Sequence, residues 1–299
     1  MTDNKIQHCA ILTMNDLDDF EVYDNLIEQP LLTLGWQMHM VSWRDESVNW
    51  NDYAAVIIRS PWDYQDDALA FLHVLNKIEQ SSAHLENSLA TVEWNIDKKY
   101  LRELESNGVN IVKTCWHKNL TKKYVVEYFT ELNVDQIVIK PRISANADNT
   151  FWLTKDNYQA LYPQLEKAFS ASEFLVQPFM ESVINEGEYS LFYFNGLYSH
   201  TILKTPKDSD FRVQEEHGGR LASISPEASL MNHAEQALSA IKAQIGMPLY
   251  ARIDLVRNDA GFALMEAELI EPSLYFNMDE QSATRFAQAF VNRMQSLTL

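Results

Sequence analysis

The chain has 299 residues, 46% of them hydrophobic and 11% aromatic, and a formal net charge of −18. That content supports more than one packed unit and argues against a disordered chain. The negative balance argues against nucleic acid or an anionic membrane as a partner, since either requires a positive footprint.

Cys9 and Cys115 offer neither a disulfide framework nor a metal-ligand spacing. The amino terminus lacks the basic and apolar segments of a signal peptide, and no apolar run reaches the roughly eighteen residues of a membrane span. A cytoplasmic protein is the expectation.

Residues 6–14 read as a short apolar strand, followed by Asp16, Asp18, Asp19 and Glu21 where a loop meets a helix start. A helix to Leu34, a stop at Gly35 and strands MHMVSW and AAVIIRS complete a β-α-β pattern, hence a small α/β layer. Ligands of open α/β sheets sit at the carboxyl ends of strands. Arg59, Ser60 and Asp63, at the end of the last strand, are therefore candidate substrate contacts. A polar turn around Pro61 explains the same residues.

Residues 66–80 form an amphipathic helix, and another begins near Asp97, presenting Lys98 and Lys99. The strand IVIKP (137–141) ends on Lys140, a charge that an apolar setting penalises unless an anion pairs with it. The small residues of 142–150 suit a backbone approaching phosphate, although no glycine-rich GK[ST] element is present. After a helix at 156–169, the strand 173–180 is interrupted by Pro178, which cannot donate to a ladder. Backbone groups exposed there can hydrogen-bond a flat heterocycle.

Glu188 precedes a strand whose antiparallel mate ends on Lys204. Residues 205–220, with Pro206, Arg212 and His217-Gly218-Gly219, read as a mobile loop of the kind that closes over a site. Helix 227–245 carries apolar residues at helical spacing and stops at Gly246.

The stretch 250–275 reads as a β-hairpin turning at Asn258-Asp259-Ala260-Gly261, with a three-residue loop and Gly261 at positive φ. That register sets Asp254 opposite Glu266 and Arg252 opposite Glu268 on one face, with Ile253, Leu255, Met265, Ala267 and Leu269 on the other. Opposed like charges destabilise a sheet. Either Arg252 in a salt-bridge ladder or a hard divalent cation held by carboxylate oxygens would compensate them.

Taken in order, the lysine helix, the strand ending in lysine, the strand breaking at proline, the leading glutamate and the RID…E-x-E hairpin resemble the ATP-grasp superfamily over roughly residues 94–299. RIDLV…LMEAELIEPS is similar to the RID…LEANTSPG region of D-alanine–D-alanine ligases. VEWNIDKKYL, QPFMESVINEGEYSLFYF and KTPKDSDFRVQEEHGG are closer to the glutathione-synthetase-like group that includes the D-cycloserine cyclo-ligase.

The resemblance implies an α/β ATP-grasp fold: an amino-terminal α/β pre-ATP-grasp domain (1–94) before an ATP-grasp domain (95–299) with lobes of about 112–180 and 181–299. It implies ATP phosphates on Lys98 and Lys140, adenine against the backbone of Gln177, Pro178, Phe179 and Met180, and ribose on Glu188. Asp254, Glu266 and Glu268 would carry one or two Mg²⁺, or Mn²⁺ in its place. Arg252 would stabilise the transferring phosphoryl group, with Lys204 and Arg212 adding charge. Glu268 departs from the asparagine found in many members. Glu271 and Ser273 stand where several relatives place a Ser-Pro turn beside substrate.

The implied activity is an ATP-dependent carboxylate–amine ligase acting on a small amino-acid-like substrate through an acyl phosphate, with a homo-oligomeric assembly left open. A nucleotide-binding protein without ligase chemistry and another ATP-dependent phosphoryl or acyl transferase are the alternatives.

Overall fold

The structure, a computed structural model, describes residues 6–144, 147–208 and 210–297. Ala145 and Asn146, within the small-residue loop expected near phosphate, lie outside the described residues.

The first sheet is built from β1 (Gln7–Thr13), β2 (Trp36–Ser42), β3 (Ala55–Ser60) and β4 (His84–Glu86), ordered β2-β1-β3-β4 with parallel pairs throughout. Helices α1 (Glu28–Thr33) and α2 (Ala68–Glu79) lie in its crossovers. The central strands β1 and β3 are covered on both faces, so they read as continuous apolar runs rather than alternating ones. Ala10, Leu12, Val56 and Ile58 pack toward Phe71 and Leu75 of α2. Cys9, Ile11, Ala55 and Ile57 pack on the opposite side, in a cluster with Phe286 and Phe290 of the carboxyl-terminal helix.

Two short helices follow, α3 (Leu89–Asn95) and α4 (Tyr100–Ser106). The helix expected to start near Asp97 begins at Tyr100, and Lys98 lies in the connection before it.

The second sheet comprises β5 (Cys115–His117), β6 (Gln136–Pro141), β7 (Phe151–Thr154) and β8 (Phe174–Pro178), antiparallel in the order β5-β8-β6-β7. Helices α5 (Lys122–Leu132) and α6 (Tyr158–Phe169) bury their apolar faces with Ile137, Ile139, Leu153 and Val176. β8 ends at Pro178, as the missing donor requires.

After α7 (Glu181–Asn185) the third sheet gathers β9 (Glu188–Phe194), β10 (Leu197–Thr205), β11 (Arg220–Ser223), β12 (Tyr250–Asn258) and β13 (Gly261–Glu268) in the order β11-β10-β9-β12-β13. β11 begins at Arg220, the last residue of the stretch read as a loop, and pairs with β10 from Ile202↔Ser223 to Thr205↔Arg220. Helix α8 (Ala228–Ile245) covers one face, its Leu230, Ala234, Leu238 and Ile241 clustering with Leu191, Ile253, Leu255 and Ala267. The last element among the described residues is α9 (Ser282–Leu297), the helix that covers the first sheet.

The hairpin pairs Arg252 with Glu268 and Asp254 with Glu266, as expected, but by a different route. The turn is tighter, with Asn258 paired to Gly261, and the extra residue is a bulge at Met265 between the Leu255↔Leu264 and Asp254↔Glu266 pairs. Gly261 does take positive φ, at +111°. The bulge removes Met265 from the apolar face, where the sequence suggested it lay, and turns it into the cleft.

Candidate active site

A cavity of about 210 Å³ opens between the second and third sheets and the end of the first. Its floor is the face of β9, β10, β12 and β13 opposite α8. Asp254 is 2% exposed and accepts from the Ser190 hydroxyl at 2.5 Å. Arg252 donates to Asp254 at 3.1 Å and to Glu268. Burial alone would raise the Asp254 carboxyl, but Arg252, Lys204 and Ser190 more than offset it and hold it below the usual carboxylate range.

Four cations converge on this floor, each at most 8% exposed: Lys98, Lys140, Lys204 and Arg252. Lys98 lies 3.1 Å from Glu266 and donates to the Ser144 carbonyl at 2.8 Å. Lys204 sits 2.5 Å from Glu188 and 3.6 Å from Asp254; burial lowers its pKa, but these two carboxylates more than compensate and raise it. Lys140 makes no ion pair among the described residues, and burial pulls its pKa down despite attraction from Glu266. A buried ammonium facing a cavity without a partner is a site prepared for an anion.

At one end, Gln177 and Pro178 at the end of β8 and Phe179 and Met180 beyond it form the wall. The Phe179 ring stacks on Trp152, centroids 4.3 Å apart and nearly parallel, and Phe211 meets Trp152 edge-on at 5.8 Å. Arg212, two residues from its partner Asp210 (2.9 Å), lines the same region. The β10–β11 connection therefore reaches across from the third sheet to the second.

At the other end stand Trp62, Tyr64, Glu271, Ser273 and Tyr275. Arg59, Ser60 and Asp63 are not brought there. Arg59 is buried against Asp24 at 3.0 Å and donates to the Pro272 carbonyl; Ser60 bonds Thr13; Asp63 is held by Trp43 and Arg44. The expected substrate contacts at this strand end are instead spent within the protein. Trp62 and Tyr64, on either side of Asp63, line the cavity. Aromatics beside a proline turn were the available signal for these two, and no comparable signal pointed to Phe211 or Tyr275.

Among the described residues no three His, Cys, Asp or Glu side chains stand at metal-ligating spacing. Arg252 bridges Asp254 and Glu268, and Lys98 holds Glu266. The donor chemistry nevertheless fits a hard divalent ion, which takes carboxylate oxygens. Burial, only partly offset by Arg252, pushes Glu268 up to about 8, with Asp254, Glu266 and Glu271 adding like-charge repulsion. Burial likewise pushes Glu271 up to about 7, against the Tyr64 hydroxyl bonded to it.

Residues 9–87 match the family described as D-cycloserine synthetase DcsG, N-terminal domain. Over 277 residues the chain is 28% identical to the cycloserine biosynthesis protein DcsG of Streptomyces lavendulae, covering 88% of this chain and 91% of that protein. The fold superposes on a crystal structure of D-cycloserine synthetase DcsG with a TM-score of 0.85, 26% identity, and 96% and 99% of the two chains covered. It also superposes on the D-alanine–D-alanine ligase of Bacillus anthracis complexed with ATP, with a TM-score of 0.70, 12% identity, and 97% and 98% covered. Its three sheets, its cleft and these likenesses agree: the chain has the ATP-grasp fold and is similar along nearly its whole length to ligases of that fold.

Proposed function

We propose that this protein is an ATP-dependent ligase that joins the carboxyl group of a small amino-acid-like substrate to a nitrogen nucleophile, releasing ADP and phosphate. The observation that carries the reading is the unpaired, buried Lys140 beside Lys98, facing the Asp254–Glu266–Glu268 floor. The substrate carboxylate attacks the γ-phosphate of ATP, forming an acyl phosphate with ADP as leaving group. The nucleophile then attacks the acyl carbon, and phosphate departs as the C–N bond forms.

The chain supplies position and charge rather than covalent help. Lys98 and Lys140 neutralise phosphate oxygens, Arg252 holds charge on the transferring phosphoryl group, and Lys204 and Glu188 face the nucleotide between the two sheets. The backbone of 177–180 takes the adenine edge, with Phe211 and Arg212 covering that end. Asp254, Glu266 and Glu268 would hold Mg²⁺, which when bound neutralises phosphate charge and orients the transferring group. Glu271 and Ser273 contact the substrate. The DcsG proteins are named for D-cycloserine, and an amino acid whose own nucleophile closes a ring onto its carboxyl group is the substrate form their likeness favours.

Calorimetric titration with a non-hydrolysable ATP analogue tests the site. Binding is expected to need Mg²⁺ and to weaken at least tenfold in Lys140→Ala. Binding that ignores both changes would refute the assignment. ADP release that stays at background with every amino acid and ureido or aminooxy compound offered would favour a nucleotide binder without ligase chemistry.

A further inference from the structure

Residues 269–274 follow β13 without regular structure, yet their carbonyls are taken by side-chain donors from several elements. Leu269 O accepts from Asn87 at 2.7 Å, Glu271 O from the Trp62 indole at 2.8 Å and Pro272 O from Arg59 at 2.7 Å. Ser273 O accepts from Arg252 at 3.4 Å, and Leu274 O lies 3.1 Å from His200 Nε2, which must carry the proton there. The Tyr250 hydroxyl lies 2.9 Å from Ile270 O and 2.5 Å from Ile58 O, and shares its one proton between them. A loop ordered by its own sequence would satisfy its carbonyls locally. This one is shaped by partners on β3, β10 and β12 and in the loops after β3 and β4.

The segment carries Glu271 and Ser273 into the cavity. Arg59 does not reach the cavity: Nε is spent on Asp24, Nη2 on Pro272 O, and Nη1 is buried with no partner among the described residues. Only an interaction through the main chain connects it to the site. We propose that Arg59, together with the Trp62 N–H and the Tyr250 hydroxyl, acts as a positioning group that preforms the substrate end of the cleft by holding the carbonyls of 270–272, independently of the nucleotide end. This rests on the reading of Glu271 and Ser273 as substrate contacts, and it goes further in assigning the origin of their placement to the end of the first sheet and to β12.

The test uses the full chain and four variants. Tyr250→Phe deletes one donor and keeps the ring, and Trp62→Phe deletes one and keeps an aromatic side chain. Arg59→Met deletes the donor, and Arg59→Lys retains one. Amide hydrogen exchange over 270–275 and calorimetric binding of a non-hydrolysable ATP analogue with Mg²⁺ are measured together.

Exchange over 270–275 is expected to accelerate at least tenfold in Trp62→Phe, Tyr250→Phe and Arg59→Met. Arg59→Lys should restore most of the protection lost in Arg59→Met, and the analogue's Kd should stay within twofold throughout. Unchanged exchange in Trp62→Phe and Tyr250→Phe overturns the proposal, and they keep it testable should Arg59→Met fail to fold. Loss of nucleotide binding in parallel with exchange also overturns it, because the segment would then serve the whole cleft. A wild-type chain that binds no analogue refutes the ligase reading by itself, while exchange still reports on what holds the segment.

Discussion

Lys140 and His200 show how one physical effect, burial, serves different ends at two sites. For Lys140, desolvation without an ion-pair partner leaves a charge poised for phosphate. For His200 it suppresses the charge: the ring stacks on Phe192 at 4.2 Å, bonds Leu274 O, and burial lowers its pKa to about 4. A depressed histidine is neutral in the folded chain and protonates more readily in the unfolded one. Its contribution to stability is therefore complete above about pH 6.5 and is lost as pH falls from there toward 4. The loss is expected to approach about 3.5 kcal/mol, at about 1.4 kcal/mol for each unit between about 6.5 and about 4. Urea unfolding at a series of pH values should show this extra slope in the wild type and not in His200→Gln. Identical pH profiles for the two proteins would contradict the burial argument.

At the scale of elements, the connection between β10 and β11 matters most for the nucleotide end. Its Phe211 joins Trp152 of β7 and the Phe179 ring beyond β8, so an element of the third sheet clasps the second. An edge-on aromatic contact of this kind contributes about 1 kcal/mol beyond its buried area. Phe211→Ala is therefore expected to weaken binding of the ATP analogue about fivefold, chiefly through faster dissociation. Stopped-flow displacement reads this directly, and an unchanged dissociation rate would show that the clasp does not hold the nucleotide.

The hairpin teaches a second lesson at this scale. Its charged pairs were legible from period-two spacing, but the bulge at Met265 was not, because a one-residue shift at the turn and a one-residue bulge cancel in the register of Asp254 and Glu266.

At the scale of the whole molecule, the chain closes on itself. Helix α9 covers the first sheet, and Phe290 meets Trp36 edge-on at 4.7 Å among fully buried neighbours. Phe290→Ala opens a large hole in that shared core and is expected to destabilise the protein by about 3–5 kcal/mol. Chemical denaturation measures it; a loss under about 1 kcal/mol would mean that the helix is not part of the core. The same closure explains why Arg59 misled a reading made along the chain. Strand-end position marks it for a ligand, whereas the return of the chain through 270–274 takes its donor first.

The sequence by itself determined what local pattern and charge can specify. It placed the α/β elements, the opposed carboxylates of the hairpin, the end of β8 at Pro178, and Lys140 as a charge in need of an anion. These follow from periodicities of two and 3.6 residues, from proline's missing donor and from the penalty for burying charge. Only the tertiary structure decided which side chains meet across long separations. It gathered Lys98 with Glu266, Lys204 with Asp254 and Glu188, and Tyr64 with Glu271. It also withdrew Arg59, Ser60 and Asp63 into internal pairs. Contacts between residues far apart in the chain leave no local pattern, because they arise when separate sheets pack and compete for the same few donors and acceptors.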